Sequence, residues 1–139
     1  MTEHALDTVT GPETLAQMQH TLDAAWSAGD VPEYTRKCLD LAVSEIGSNI
    51  IEHSGDGQPV RLRMVVTLLP DTVVVTLTDD GRPAAVDLSQ MGMPDEMSER
   101  GRGLAIAHRV LDELSYSRNQ EGNRWTLMRR RVNEPHGHS

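Results

Sequence analysis

Glu45 and Asn49 stand four residues apart in the segment Leu41-Ala42-Val43-Ser44-Glu45-Ile46-Gly47-Ser48-Asn49. On a helix that spacing places both side chains on one face, one turn apart. An amide oxygen is a hard ligand suited to Mg²⁺, which keeps several waters and takes further oxygens from phosphates. A carboxylate one turn away can accept the proton of a hydroxyl that attacks a metal-bound phosphate. Asp79-Asp80-Gly81 closes a β-branched run. A carboxylate at a strand end, with glycine allowing close approach, can accept a hydrogen bond from an adenine amino group. Gly101-Arg102-Gly103-Leu104 opens a helical pattern, and a glycine-rich helix start offers free N–H groups and a positive dipole end to phosphate. Taken singly, the three motifs also read as a solvated helix face, a turn and a connector. Their order along one chain points to a nucleotide.

The elements that must position these residues are legible from periodicity. Ala5–Val9 reads as an edge strand. Thr10 with Glu13 has capping-box spacing, and Leu15, Met18, Leu22, Ala25 and Trp26 follow at helical intervals up to Gly29. Asp30, Pro32 and Glu33 signal a second helix start. That helix runs to about Glu52 or His53, with Tyr34, Cys38, Leu41, Ala42, Ile46 and Ile50 as its apolar positions. Val60, Leu62, Met64, Val66 and Leu68 alternate with less apolar residues, the pattern of a half-buried strand, and Thr72–Thr78 pairs with it as a hairpin. Residues 82–100 show no sustained period, and a loop of that length is often a functional lid. A third helix carries Leu104, Ala107, Val110, Leu111 and Leu114. Tyr116–Arg118 and Trp125–Arg131 pair across 119–123. Helices partly segregated from strands predict an α+β fold, a mainly antiparallel sheet with helices packed on one face.

Composition narrows the function classes. The 139 residues fit one domain, with a core of about 10–131 and a polar tail at 133–139. Two Trp, two Tyr and no Phe leave an aliphatic core. A formal net charge of −8 gives no counterion release on DNA and disfavours anionic membranes, so neither nucleic acid nor membrane is an expected partner. The run Arg129-Arg130-Arg131 reads as a solvated strand end. The single cysteine, Cys38, excludes an intrachain disulfide. The first residues lack the basic and apolar regions of a signal peptide, and the cytoplasm is the expected compartment.

The segment 41–53 resembles the N-box helix of the anti-sigma-factor serine kinases, a branch of the GHKL (Bergerat) ATPase superfamily. Asp79-Asp80-Gly81-Arg82-Pro83 is similar to their first glycine box, and Glu99-Arg100-Gly101-Arg102-Gly103-Leu104 to their second. Gly122-Asn123-Arg124-Trp125-Thr126-Leu127 resembles the closing strand with the third box. The resemblance implies the Bergerat fold and an ATP-dependent protein serine kinase that uses Mg²⁺. It implies that Asn49 coordinates the metal, that Glu45 is the general base, and that Asp79 binds the adenine amino group in a pocket shaped by Gly81. Gly101, Arg102, Gly103 and Leu104 then wrap the phosphates, with Arg100 and Arg102 both candidates for direct contact, and 82–100 forms the ATP lid. His53 matches a family histidine whose packing or capping role is the expectation. The implied partners are a STAS-domain anti-anti-sigma antagonist, a sigma factor or similar regulator that the kinase sequesters, a PPM-type phosphatase acting on the antagonist, and a second copy of the chain as a homodimer.

Two departures matter. Pro83 replaces the second glycine of the first box, and Gly122-Asn123 stands where many relatives have Gly-Thr. They keep open an alternative in which the chain is a non-catalytic module that holds its partner with ATP as a structural ligand or without nucleotide. A plain ATPase or a histidine-kinase fragment fits less well. Sensor histidine kinases usually carry histidine at the position of Glu45, and a carboxylate suits transfer to a hydroxyl. The lid methionines Met91, Met93 and Met97 are read as core filling or mobile loop before an adaptable binding surface.

Overall fold

Leu62, Met64, Val66 and Leu68 are buried while Arg61 and Arg63 are exposed, and this alternation is strand β2 (Arg61–Leu68). Its partner β3 (Thr72–Asp79) buries Val73, Val75, Leu77 and Asp79 on the same face. The computed structural model describes residues 2–55, 58–83 and 99–131, with the backbone alone at 99–102. Before the hairpin come β1 (Thr2–Val9), α1 (Thr14–Ala28), α2 (Glu33–Asn49) and a π-helical turn (Ile50–Ser54); after it come α3 (Glu99–Val110), β4 (Glu113–Asn119) and β5 (Gly122–Arg130). The sheet has the order β1-β2-β3-β5-β4, and every neighbouring pair is antiparallel. The three helices cover one face, as an α+β fold requires. Among the described residues no helix is long and apolar enough to cross a membrane.

The core is aliphatic apart from two tryptophans, Trp26 and Trp125. Leu39, Ala42, Val43 and Ile46 of α2 and Leu104 and Ala107 of α3 meet the strand residues, together with Trp125. Trp125 packs against Tyr116 with ring centroids 4.7 Å apart and planes tilted by 50°, a contact contributing about 0.5–1.5 kcal/mol beyond its area. Gly47 lets α1 approach α2: a Cβ there meets the Met18 side chain at 2.8 Å.

Several local expectations change once tertiary contacts form. Strand β1 spans Thr2–Val9, longer than 5–9, because its whole length pairs with β2. Thr10 does not cap α1. Its hydroxyl accepts from Val60 N and its own N–H donates to Val60 O, both at 2.9 Å, so it ties two chain segments together. Helix α1 starts at Thr14, whose Oγ1 accepts from Gly11 N at 2.8 Å. Asp30 gives no side-chain cap to α2. Leu41 lies 42% exposed, and Leu39 and Val43 are buried in its place. Leu114 belongs to β4 rather than to the third helix, which begins at Glu99 and ends at Val110.

The arginine run is the largest correction. Arg129 is 7% exposed, donates Nη1 to Val110 O at 2.8 Å and lies 5.1 Å over the Tyr34 ring. Arg131 donates to Leu69 O and Asp30 O, each at 2.7 Å. Only Arg130 is exposed. A guanidinium with several donors satisfies carbonyls left open at element ends, so alternate arginines become fasteners between helices and sheet. Of the proposed lid, Arg82, Pro83 and the backbone at 99–100 are described; Met91, Met93 and Met97, like the tail, lie outside the described residues.

Candidate active site

Helix α2 turns Leu39, Ala42, Val43 and Ile46 toward the core, which leaves Glu45 and Asn49 on its flank. Glu45 is half-buried and Asn49 is 8% exposed. The flank faces α3. A Cβ built on Gly103 lies 2.5 Å from Glu45 Oε1, so the glycine leaves the room that the carboxylate occupies. The N-box acid and the second glycine box are thereby brought into contact.

Helix α3 begins at Glu99, so its unpaired N–H groups belong to the turn around 99–101. The described backbone therefore puts Gly101, with Arg100 and Arg102, at the end where a helix dipole favours an anion. Gly103 and Leu104 lie further in, where N–H groups bond within the helix. Leu104 is 1% exposed and serves the core. These two residues thus enter the site through packing. The side chains of Arg100 and Arg102 lie outside the described residues.

After Asn49 the helix widens into a π-turn, Ile50–Ser54. Its i→i+5 bonding swings Ser54 round toward the end of β3. There Asp79, 5% exposed, uses one carboxylate oxygen fully: Oδ1 accepts from Ser54 Oγ, from Gly81 N at 2.9 Å and from Asn123 Nδ2 at 3.0 Å. The other oxygen, Oδ2, is buried and has no donor among the described residues. Leaving a buried carboxylate oxygen unpaired is costly, and such an atom is poised for a donor from a ligand. Gly81 is required by close approach, since a Cβ there meets Ser54 Oγ at 2.0 Å and Ser54 O at 2.5 Å. Arg82 N donates to the same Ser54 carbonyl at 2.6 Å.

Ser54 and Asn123 were not among the residues picked out from the sequence. Ser54 sits in a turn-like cluster, and Asn123 carried a signal only as a departure from the Gly-Thr pair. Gly122 before it has φ +133°, and a Cβ there meets Asp79 O at 2.0 Å. Gly122→Ala is expected to destabilise the chain by about 3 kcal/mol or more, combining backbone strain with overpacking. Urea unfolding checks this, and an unchanged midpoint speaks against the close approach. His53 is exposed, 3.8 Å from the Glu52 carboxylate.

Among the described residues no cluster of three His, Cys, Asp or Glu side chains gathers to hold a metal. A concavity opens beside the end of β3, on the side of Arg61, Arg63 and Arg124. It shares Asp79, Gly122 and Asn123 with the site, and its three guanidiniums, Arg61, Arg63 and Arg124, face four carboxylates, Asp7, Asp79, Asp80 and Glu121, so it offers no positive field for phosphates.

Comparison with known proteins identifies the fold and its family. The family model described as the histidine kinase-like ATPase domain matches residues 9–129. Among solved structures, the histidine kinase domain of the Erythrobacter litoralis EL346 blue-light activated histidine kinase is similar at 23% identity and a TM-score of 0.51 over 70% of this chain and 45% of that one. The EL346 kinase itself gives 24% identity and a TM-score of 0.55 over 75% of this chain and 32% of that one. At such identities the likeness is one of fold, and the chain spans less than half of either structure. No curated protein matches the chain.

Proposed function

The chain belongs to the histidine kinase-like ATPase domain family, and from that membership we propose that it is an ATP-dependent protein serine kinase and anti-sigma factor of a partner-switching system. The observation that carries this reading is the contact of Glu45 with Gly103: it sets a carboxylate beside the helix that begins at the second glycine box. Bound Mg²⁺ supplies neutralisation of phosphate charge, and Asn49 is the residue that holds it. Asp79 Oδ2 accepts from the adenine amino group. Glu45 takes the proton of an incoming serine hydroxyl. Positioning and charge do most of the work in such a transfer. A carboxylate at position 45 favours a hydroxyl acceptor over the imidazole acceptor of the structural neighbours.

The serine belongs, in this reading, to a STAS-domain antagonist. Its unphosphorylated form binds the kinase; once phosphorylated it leaves, and the kinase holds a sigma factor or similar regulator until a PPM-type phosphatase resets the antagonist. The working unit is a homodimer in the cytoplasm. The test is radiolabel transfer from ATP to a STAS-domain protein, with acid-stable label recovered on serine. Binding of Mg-ATP without transfer supports the second reading, a regulatory module with structural nucleotide, which the Gly122-Asn123 departure favours. Asn49→Ala is expected to weaken Mg-ATP binding by about tenfold, near 1.4 kcal/mol. Calorimetry with and without Mg²⁺ checks it, and an equal Mg²⁺ effect in both proteins removes Asn49 from metal binding.

A further inference from the structure

Asn123 is 3% exposed and has its hydrogen-bonding ends sorted by its neighbours. Its Nδ2 donates to Asp79 Oδ1 at 3.0 Å and to Arg82 O at 2.6 Å, with Ser54 Oγ at 3.5 Å. Its Oδ1 accepts from Tyr116 Oη–H and from Arg118 Nη1 at 3.0 Å. A guanidinium cannot accept and a carbonyl cannot donate, so Arg118 and Arg82 O together permit only this amide orientation. Arg118 Nη1 also donates to Gly81 O at 2.9 Å, which pins the backbone just beyond Asp79. With Ser54 Oγ, Gly81 N and Asn123 Nδ2 all on Oδ1, the carboxylate is held with Oδ2 alone lacking a donor among the described residues.

We propose that Asn123 is the positioning residue that sets base specificity: its amide, locked by Tyr116 and Arg118 of β4, aims Asp79 Oδ2 at a purine 6-amino group. A base with a 6-amino donor completes the buried oxygen. A base lacking that donor leaves it unpaired, and one with a 6-keto oxygen opposes two acceptors. The proposal rests on the nucleotide reading of the site and adds the residue through which Asp79 discriminates.

The test titrates the full chain with Mg-ATP and with Mg-purine riboside triphosphate, which differs from ATP only by lacking the 6-amino group. The wild type is expected to prefer ATP by about tenfold or more, the range for a hydrogen bond to a charged group. Asn123→Leu keeps the branched shape of the side chain but has no donor to give Asp79. Its preference is expected to collapse toward one, with affinity for the amino-free analogue retained. Asn123→Ala is expected to do the same by removing the amide. A preference in Asn123→Leu equal to that of the wild type overturns the proposal, because shape alone then suffices. Equal loss of both nucleotides in both variants also overturns it, leaving Asn123 a packing residue. A wild type that binds both equally removes Asp79 from base reading, and one that binds neither overturns the nucleotide reading itself.

Discussion

Glu45→Gln is expected to lower phosphoryl transfer to serine by about 10²- to 10⁴-fold, the usual worth of general-base catalysis, with Mg-ATP affinity essentially unchanged. The side chain is half-buried and its carboxylate abuts Gly103. Glutamine has nearly the same volume, so it keeps the contact between α2 and α3 and removes only the acceptor for the proton. Single-turnover transfer beside equilibrium binding separates the two effects. Full-rate transfer means the proton goes elsewhere. Loss of binding and transfer together means that Glu45 acts through the helix contact.

Asp79→Asn is expected to weaken ATP binding by about 10- to 100-fold, matching the 1.5–3 kcal/mol of a hydrogen bond to a charged group. The donors on Oδ1 hold the amide oxygen in its place, since Gly81 N and Asn123 Nδ2 can only donate and the Ser54 hydroxyl joins them. The new NH₂ then occupies the position of Oδ2 and opposes the adenine amino group, donor against donor. A purine with a 6-keto oxygen meets a complementary donor at the same point, so affinity for inosine triphosphate is expected to rise relative to ATP. Competition binding with the two nucleotides reads the switch. An Asp79→Asn protein that keeps the wild-type order of preference places base recognition outside Asp79.

Much of the fold was readable along the chain. Strands β2 and β3 alternate cleanly and β-branched residues fill them, and Met18, Leu22, Ala25 and Trp26 of α1 are buried at helical spacing, with Leu15 of the expected set left 38% exposed. Errors fell where a side chain had two possible partners. Thr10 and Asp30 have the right chemistry for helix caps, but the Thr10 hydroxyl bonds Val60 across the fold, and Asp30 serves Arg131 through its carbonyl. Charge runs usually face water, yet Arg129 and Arg131 turn inward because carbonyls of Val110, Leu69 and Asp30 stand open where elements end. Leu41 and Leu39 differ by half a helical turn, and only the position of the sheet chooses between them.

The site divides along the same line. Glu45 and Asn49 share a helix face, and Asp79 ends a strand, because helical and strand periods are local properties of the backbone. Those facts need no folded chain. That Asp79 Oδ2 has no donor among the described residues is different. It arises because Ser54 and Asn123, 25 and 44 residues away in sequence, both converge on Oδ1. A π-turn delivers the first, and a glycine with positive φ opens the strand that delivers the second. Hydrogen-bond saturation depends on every neighbour in space, so it is set only when the sheet and helices close around the carboxylate.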